Sequence, residues 1–257
     1  MRPWTSDFVG RFDEVTIDSA ALRDNPLGDP PTRPLWAYLP PGYDDEPDRR
    51  YPTIYLIQGY VGTLSMWQNR SPFRPTVPEL IDDLFAGPDP PPPALVVAVD
   101  AWTGYGGSQF VDSPGTGNYH SYLCADVVPF VDARWRTIPD RESRAIIGKS
   151  SGGFGAMITP MLRPDLFGAF ASHAGDTLYE LSYLPMFGEV VRALRDSYGG
   201  SYDAFWQDFR SRVAFTRSAD GALVTTYGVA ACFSADPDGT VRLPFDPVTG
   251  QLVEPVW

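Results

Sequence analysis

Histidine, cysteine and lysine are scarce in this sequence. Its 257 residues include two histidines (His120, His173), two cysteines (Cys124, Cys232) and one lysine, Lys149. The cysteines stand far apart without metal-ligand spacing, so they read as buried small hydrophobes rather than a disulfide or a ligand pair. Positive charge is short as well: 20 basic side chains face 32 acidic ones, for a formal charge of −12. That balance repels phosphate backbones and anionic lipid, which argues against nucleic-acid and membrane partners. No stretch approaches the ~18 apolar residues that a membrane helix needs, and Met1–Thr5 opens no secretory signal run. A soluble cytoplasmic protein is expected.

What remains is ordinary globular material. Apolar residues make up 43% and charged residues 20%, enough for a real core, and the length suits one large α/β domain or two small ones. Strand-like segments recur at Phe12–Ile17, Leu35–Leu39, Tyr51–Ile57, Ala94–Val99, Ser143–Ile147 and Ala169–His173, the last four reading as buried strands. Between them Val77–Phe85, Tyr119–Arg134 and Phe154–Leu162 have helical spacing. This alternation predicts a largely parallel α/β sheet. Three segments are expected: a core over 1–177, an inserted helical cap over 178–215, and a turn-rich return over 216–257. Pro90–Pro93 is a stiff connector. The acidic turns at Asp44–Glu46 and Asp236–Asp238 lack calcium-ligand alternation and read as solvated.

The chemistry concentrates at Gly148-Lys149-Ser150-Ser151-Gly152-Gly153, a G-x-S-x-G turn between a predicted strand and a helix. A sharp strand-to-helix turn forces its central residue into strained dihedrals, and glycines two positions either side remove the clashes. Ser150 is thereby the candidate nucleophile. The Ser151 N–H, opening a helix, can point at a developing oxyanion. The strand Tyr51–Ile57 ends in Gln58-Gly59-Tyr60-Val61-Gly62, where Tyr60 N–H is the candidate second donor. An ordinary glycine turn with no chemistry is the alternative at both places. The spacing does not match a phosphate-binding loop.

Tyr51–Tyr60, Gly104–Phe110, Gly148–Gly155 and Ser172-His173-Ala174-Gly175-Asp176, in that order, resemble the Putative esterase group of α/β-hydrolases. That group includes esterase D (S-formylglutathione hydrolase) and the antigen 85 mycolyltransferases. The resemblance covers roughly residues 10 to 180. It implies an α/β-hydrolase fold and serine-dependent hydrolysis of a small-molecule ester or thioester through an acyl-enzyme, or acyl transfer at the same site. It implies neither metal nor organic cofactor.

In such a fold the serine is followed by an acid and then by a histidine, yet no histidine follows position 173. Either the sequence is an amino-terminal part whose last strands carry acid and base, or the chain works differently or not at all. A hydrolase-fold binding protein that lost its triad is the alternative function. His173, Asp176 and Asp100 are the candidate pocket residues or substitute triad members. His120 reads as a surface residue, and Lys149 as a salt bridge beneath the turn. The Gly104–Ser108 loop, with Trp102 and Tyr105, reads as a wall on the substrate side or a surface loop. Tyr179, Tyr183, Phe187 and Trp206 suggest an aromatic acyl pocket or a cap core. A sheet cut before its last strands would also expose an edge through which the chain self-associates.

Overall fold

Strands rich in β-branched residues occupy the middle of the sheet, as burial on both faces demands. The computed structural model describes residues 7–71, 73–212 and 214–257. Met1–Thr5, read above for a signal run, lie outside the described residues. β1 (Arg11–Asp18) and β2 (Thr32–Leu39) form an antiparallel hairpin, Arg11 opposite Leu39 through to Asp18 opposite Thr32. β3 (Thr53–Ile57) lies between β4 (Leu95–Val99) and β7 (Arg144–Lys149), parallel to both. β5 (Asp112–Ser113) and β6 (Gly117–Asn118) make a separate small ladder. β8 (Ala169–His173) runs parallel to β7, giving the order β1-β2-β4-β3-β7-β8. β4 is buried at all five positions. The expected, mostly parallel sheet is therefore present.

The first crossover helix begins where the sequence supplies a cap. α1 (Val77–Ala86) opens on a capping box, Thr76 accepting from the Glu79 N–H while the Glu79 carboxylate takes the Thr76 N–H, with Pro78 in the first turn. α2 (Tyr119–Ser121) continues through a π-helical turn, Tyr122–Val127, into α3 (Val128–Arg134). α4 (Ser151–Leu162) follows β7 directly. Beyond β8 come α5 (Tyr179–Ser182), α6 (Phe187–Tyr198), α7 (Tyr202–Ser211) and α8 (Asp220–Phe233). These build a second hydrophobic core around Phe187, Leu194, Phe205, Trp206, Leu223 and Phe245.

Two expectations need correction. Ala169–His173 forms a strand, but all five residues are exposed rather than buried. β8 is the last strand of the sheet among the described residues, so nothing covers its outer side. The segment 216–257 is not turn-rich throughout, because fourteen of its residues form α8. Ten of those are buried, and a helix covered on most sides carries no amphipathic period.

α8 is anchored at its first residue. The fully buried Asp220 carboxylate accepts the N–H groups of Thr216 and Arg217 and a two-pronged contact from Arg212, at 2.5 and 2.9 Å. Burial pulls its pKa upward, but Arg212 and the two N–H groups prevail and hold it at about 2, below the ordinary 3.8. A depressed carboxylate stabilises the fold above its unfolded pKa, and that contribution is lost as pH falls through the folded value. Asp220→Asn is expected to destabilise the chain by about 3 kcal/mol, since Arg212 would keep only Asp208, at 3.1 Å, as a counter-charge. Urea unfolding at neutral pH checks the magnitude. Titration between pH 3.8 and about 2 should show the acid loss of stability in the parent and a smaller one in the variant.

Candidate active site

β7 ends at Lys149 and α4 begins at Ser151, so one residue makes the whole turn. Ser150 has φ 59° and ψ −124°, a conformation that a residue with a Cβ adopts only when its surroundings impose it. They do so through main-chain bonds. The Ser150 N–H donates to the His173 carbonyl and its own carbonyl accepts from Phe154 N–H, both at 2.9 Å. The flanking glycines are required by distance: a Cβ on Gly148 would lie 2.3 Å from the Gly152 oxygen, and one on Gly152 would lie 2.4 Å from the Ile57 oxygen. β7, α4 and β3 thus touch backbone to backbone beneath the serine.

The end of β3 abuts the same turn. A Cβ on Gly59 would meet the Lys149 oxygen at 3.2 Å and the Ser150 Cβ at 3.5 Å. Among the described residues, neither the Tyr60 N–H nor the Ser151 N–H donates to a protein acceptor. The Tyr60 ring lies against Gly106 and Gly107, where added Cβ atoms would come within 3.0 and 2.7 Å of it, and its hydroxyl donates to the Tyr105 carbonyl at 2.7 Å. α8 closes over the phenol: a Cβ on Gly228 would sit 1.7 Å from the Tyr60 hydroxyl. Burial pushes that phenol well above its ordinary pKa. Sequence reasoning missed the roles of Gly228 and Tyr105. A glycine inside an otherwise helical stretch was the available signal.

The other candidates are placed as follows. His173 is the exposed last residue of β8, opposite Lys149 in register. It meets Ser150 through its carbonyl, and no ring hydrogen bond to the serine exists among the described residues. Asp176 accepts from the Tyr183 hydroxyl at 3.1 Å, and Tyr183 accepts from Gln109 Nε2 at 3.0 Å. Burial raises the Asp176 pKa against opposing pulls from Tyr183 and Lys149. Asp100 is committed elsewhere, in a buried ion pair with Arg33 at 2.5 Å that joins the ends of β4 and β2. Burial raises its pKa although Arg33 opposes the shift.

Two further expectations are corrected. Lys149 is exposed and makes no salt bridge among the described residues. As the last residue of β7 it stands beside the bare strand β8 rather than beneath the turn. His120 is half-buried rather than a surface residue, with Nε2 at 3.8 Å from the Cys124 sulfur, and burial lowers its pKa. Both cysteines are free and buried, their thiols pushed up to about 12. Among the described residues no three His, Cys, Asp or Glu side chains converge as a metal site requires.

A strained serine between an interior parallel strand and a helix, flanked by glycines at two positions either side, has the backbone form that the G-x-S-x-G turn takes in an α/β-hydrolase fold. The model of the Putative esterase family matches residues 32–227, and the chain belongs to that family. It is 25% identical over 74% of its length to an uncharacterized protein of Corynebacterium glutamicum, and 32% identical over 49% to an esterase of Mycobacterium tuberculosis. These matches span only 42% and 26% of the relatives' own lengths. A solved ferulic acid esterase superposes with a TM-score of 0.53 at 25% identity, over 66% of this chain and 60% of that one.

The contact between Gly228 and Tyr60 can be tested by coupling. Gly228→Ala is expected to cost about 1–3 kcal/mol, as overpacking does. Adding Tyr60→Phe should recover part of that loss, because the nearest ring carbon, Cζ, would be 3.0 Å from the new methyl instead of 1.7 Å. Urea denaturation of the single and double variants measures it. Strictly additive losses would remove the contact from the account.

Proposed function

We propose that this chain carries the nucleophile of a serine-dependent carboxylic ester hydrolase acting on a small-molecule ester or thioester. The observation carrying the proposal is the strained Ser150, with Gly59 close against it and two N–H groups without protein acceptors. In this reading Ser150 Oγ attacks the ester carbonyl and its proton passes to a base. The new oxyanion takes hydrogen bonds from Tyr60 and Ser151 N–H, the alcohol leaves, and water resolves the acyl-enzyme. Preorganised donors need no rearrangement as charge develops, and removing one typically costs ~10²–10³ in rate. Resolution by an alcohol instead of water would make the same site an acyltransferase. No hydrogen bond among the described residues identifies the base. His173, one main-chain bond from Ser150, and Asp176 are its candidates within this chain.

A second reading is favoured by that same missing contact: a binding protein on a hydrolase fold. An activated ester separates the two, because 4-nitrophenolate leaves without needing a proton. Oxyanion donors and binding alone retain ~10³–10⁴-fold catalysis over water when a triad member is lost. The parent should therefore release 4-nitrophenol from its acetate ester and label with a fluorophosphonate. Ser150→Ala should not label and should lose most of the release, and a variant that still labels would sink the nucleophile assignment.

Self-association belongs to the same proposal. Among the described residues β8 offers an unpaired edge with all five of its residues exposed, Phe170 at 51%. A second copy can pair with it about a two-fold axis. With −12 charges on each copy, the association should strengthen as salt screens repulsion. Sedimentation equilibrium should show dimers that Phe170→Lys dissociates, and a monomer at all salt concentrations would refute the pairing.

A further inference from the structure

We propose that Asp176 takes the Ser150 proton and that Gln109 and Tyr183 are positioning residues that aim it, which rests on the esterase reading and names its base. The three side chains form one hydrogen-bonded line from the loop after β4 to the loop after β8. Gln109 Nε2 donates to the Tyr183 hydroxyl at 3.0 Å, and that hydroxyl donates to Asp176 Oδ2 at 3.1 Å. Chemistry fixes the direction of the line. A carboxylate only accepts, so the phenol must donate to it, and the amide that meets the phenol oxygen must present its N–H groups. Gln109 and Tyr183 are buried, whereas Asp176 is half-buried, and its Oδ1 takes no hydrogen bond among the described residues.

Backbone strain marks the same loops. Seven non-glycine residues among those described have positive φ, and five of them (Val61, Gln109, Phe110, Ser150 and Ala174) lie in the segments after β3, β4, β7 and β8. Such conformations persist only where the surroundings impose them, and they gather at functional sites. Gln109 and Phe110, at φ 52° and 55°, are consecutive. The Phe110 ring pins that pair to α4, since a Cβ on Gly155 would lie 2.6 Å from it. Ala174, at φ 49°, turns the chain after β8 back onto α4, where a Cβ on Gly153 would meet the Gly175 Cα at 2.9 Å. Asp176, the next residue, is thereby set beside the first turn of the helix that follows Ser150. The titratable groups acting on it are Lys149 of β7 and the phenols of Tyr179 and Tyr183, while His173 precedes it at the end of β8. Burial raises its pKa although Tyr183 and Lys149 oppose the rise, and a raised carboxylate is the stronger base. In the step itself Ser150 Oγ bonds to the ester carbonyl carbon as its proton passes to Asp176 Oδ1. That proton then goes to the alcohol oxygen as the carbon–oxygen bond breaks.

The pH profile of kcat/KM for 4-nitrophenyl acetate tests the line on the full chain, because it reports the base of the free enzyme. The parent should lose activity as pH falls through the Asp176 pKa. Tyr183→Phe removes a donor to the charged carboxylate and should move that limb up by about one pH unit, the worth of a hydrogen bond to a charge. Gln109→Met keeps the length but loses the donor, so it should move the limb the same way by less. Combined with Tyr183→Phe it should add nothing, because Gln109 acts only through the phenol. Should Tyr183→Phe not fold, Gln109→Met alone carries the test. Asp176→Asn should remove the limb together with most of the turnover. A limb that neither Tyr183→Phe nor Gln109→Met moves would overturn the proposal, as would one that His173→Gln removes and Asp176→Asn keeps. In both cases fluorophosphonate labelling of Ser150 would leave the esterase reading standing. A Ser150 that neither labels nor releases 4-nitrophenol at any pH would overturn the esterase reading, and the proposal with it.

Discussion

Main chain packs directly on main chain where Gly148, Gly152 and Ile57 meet, and the rest of the site depends on that contact. With no room for a Cβ at either glycine, β7 can turn straight into α4 while both stay pressed on β3. The serine between them has nowhere to relax, and its N–H is taken by the neighbouring strand. Strain of this kind persists only when the surrounding structure over-determines it. Here three parallel strands and a helix do so together, because β7 has a parallel strand on either side, β3 and β8.

A second fixed point follows from the first. The end of β3 reaches Ser150 through Gly59, but the next residue would be free to turn away if its side chain were in solvent. Tyr60 is held instead by the Tyr105 carbonyl, the glycines at 106 and 107, and Gly228. The helices after β8 therefore act on the elbow through Tyr60. The Gly104–Ser108 loop has a comparable part. Tyr105 packs against Trp206 and Tyr227, so the loop is not a surface turn but is packed under the helices.

The central sheet was legible because strands buried on both faces are written as unbroken apolar runs. The elbow was legible because backbone contact demands glycine at set spacing. What lies beside a strand is not written in it: Ala169–His173 has the composition of a core strand, yet it is bare. α8 was hidden for a different reason, since a helix surrounded by protein loses its polar face and its glycines and threonines then resemble turn composition. Asp100 and Lys149 show the limit for single charges. A carboxylate at a strand end looks the same whether it meets a substrate or Arg33, and the partner lies 67 residues away.

The seating of Tyr60 beneath Gly228 also bears on motion. A loop carrying one of two free N–H groups would by itself open on its own free-energy scale, as exposed strand ends do. Because its side chain is locked under α8, and α8 is anchored through Asp220, the loop cannot swing out unless the helical layer lifts with it. Loop and layer form one cooperative unit. The opening free energy of a helix some 170 residues downstream (Gly228 against Tyr60, by their positions) thereby sets how long the Tyr60 amide keeps its orientation.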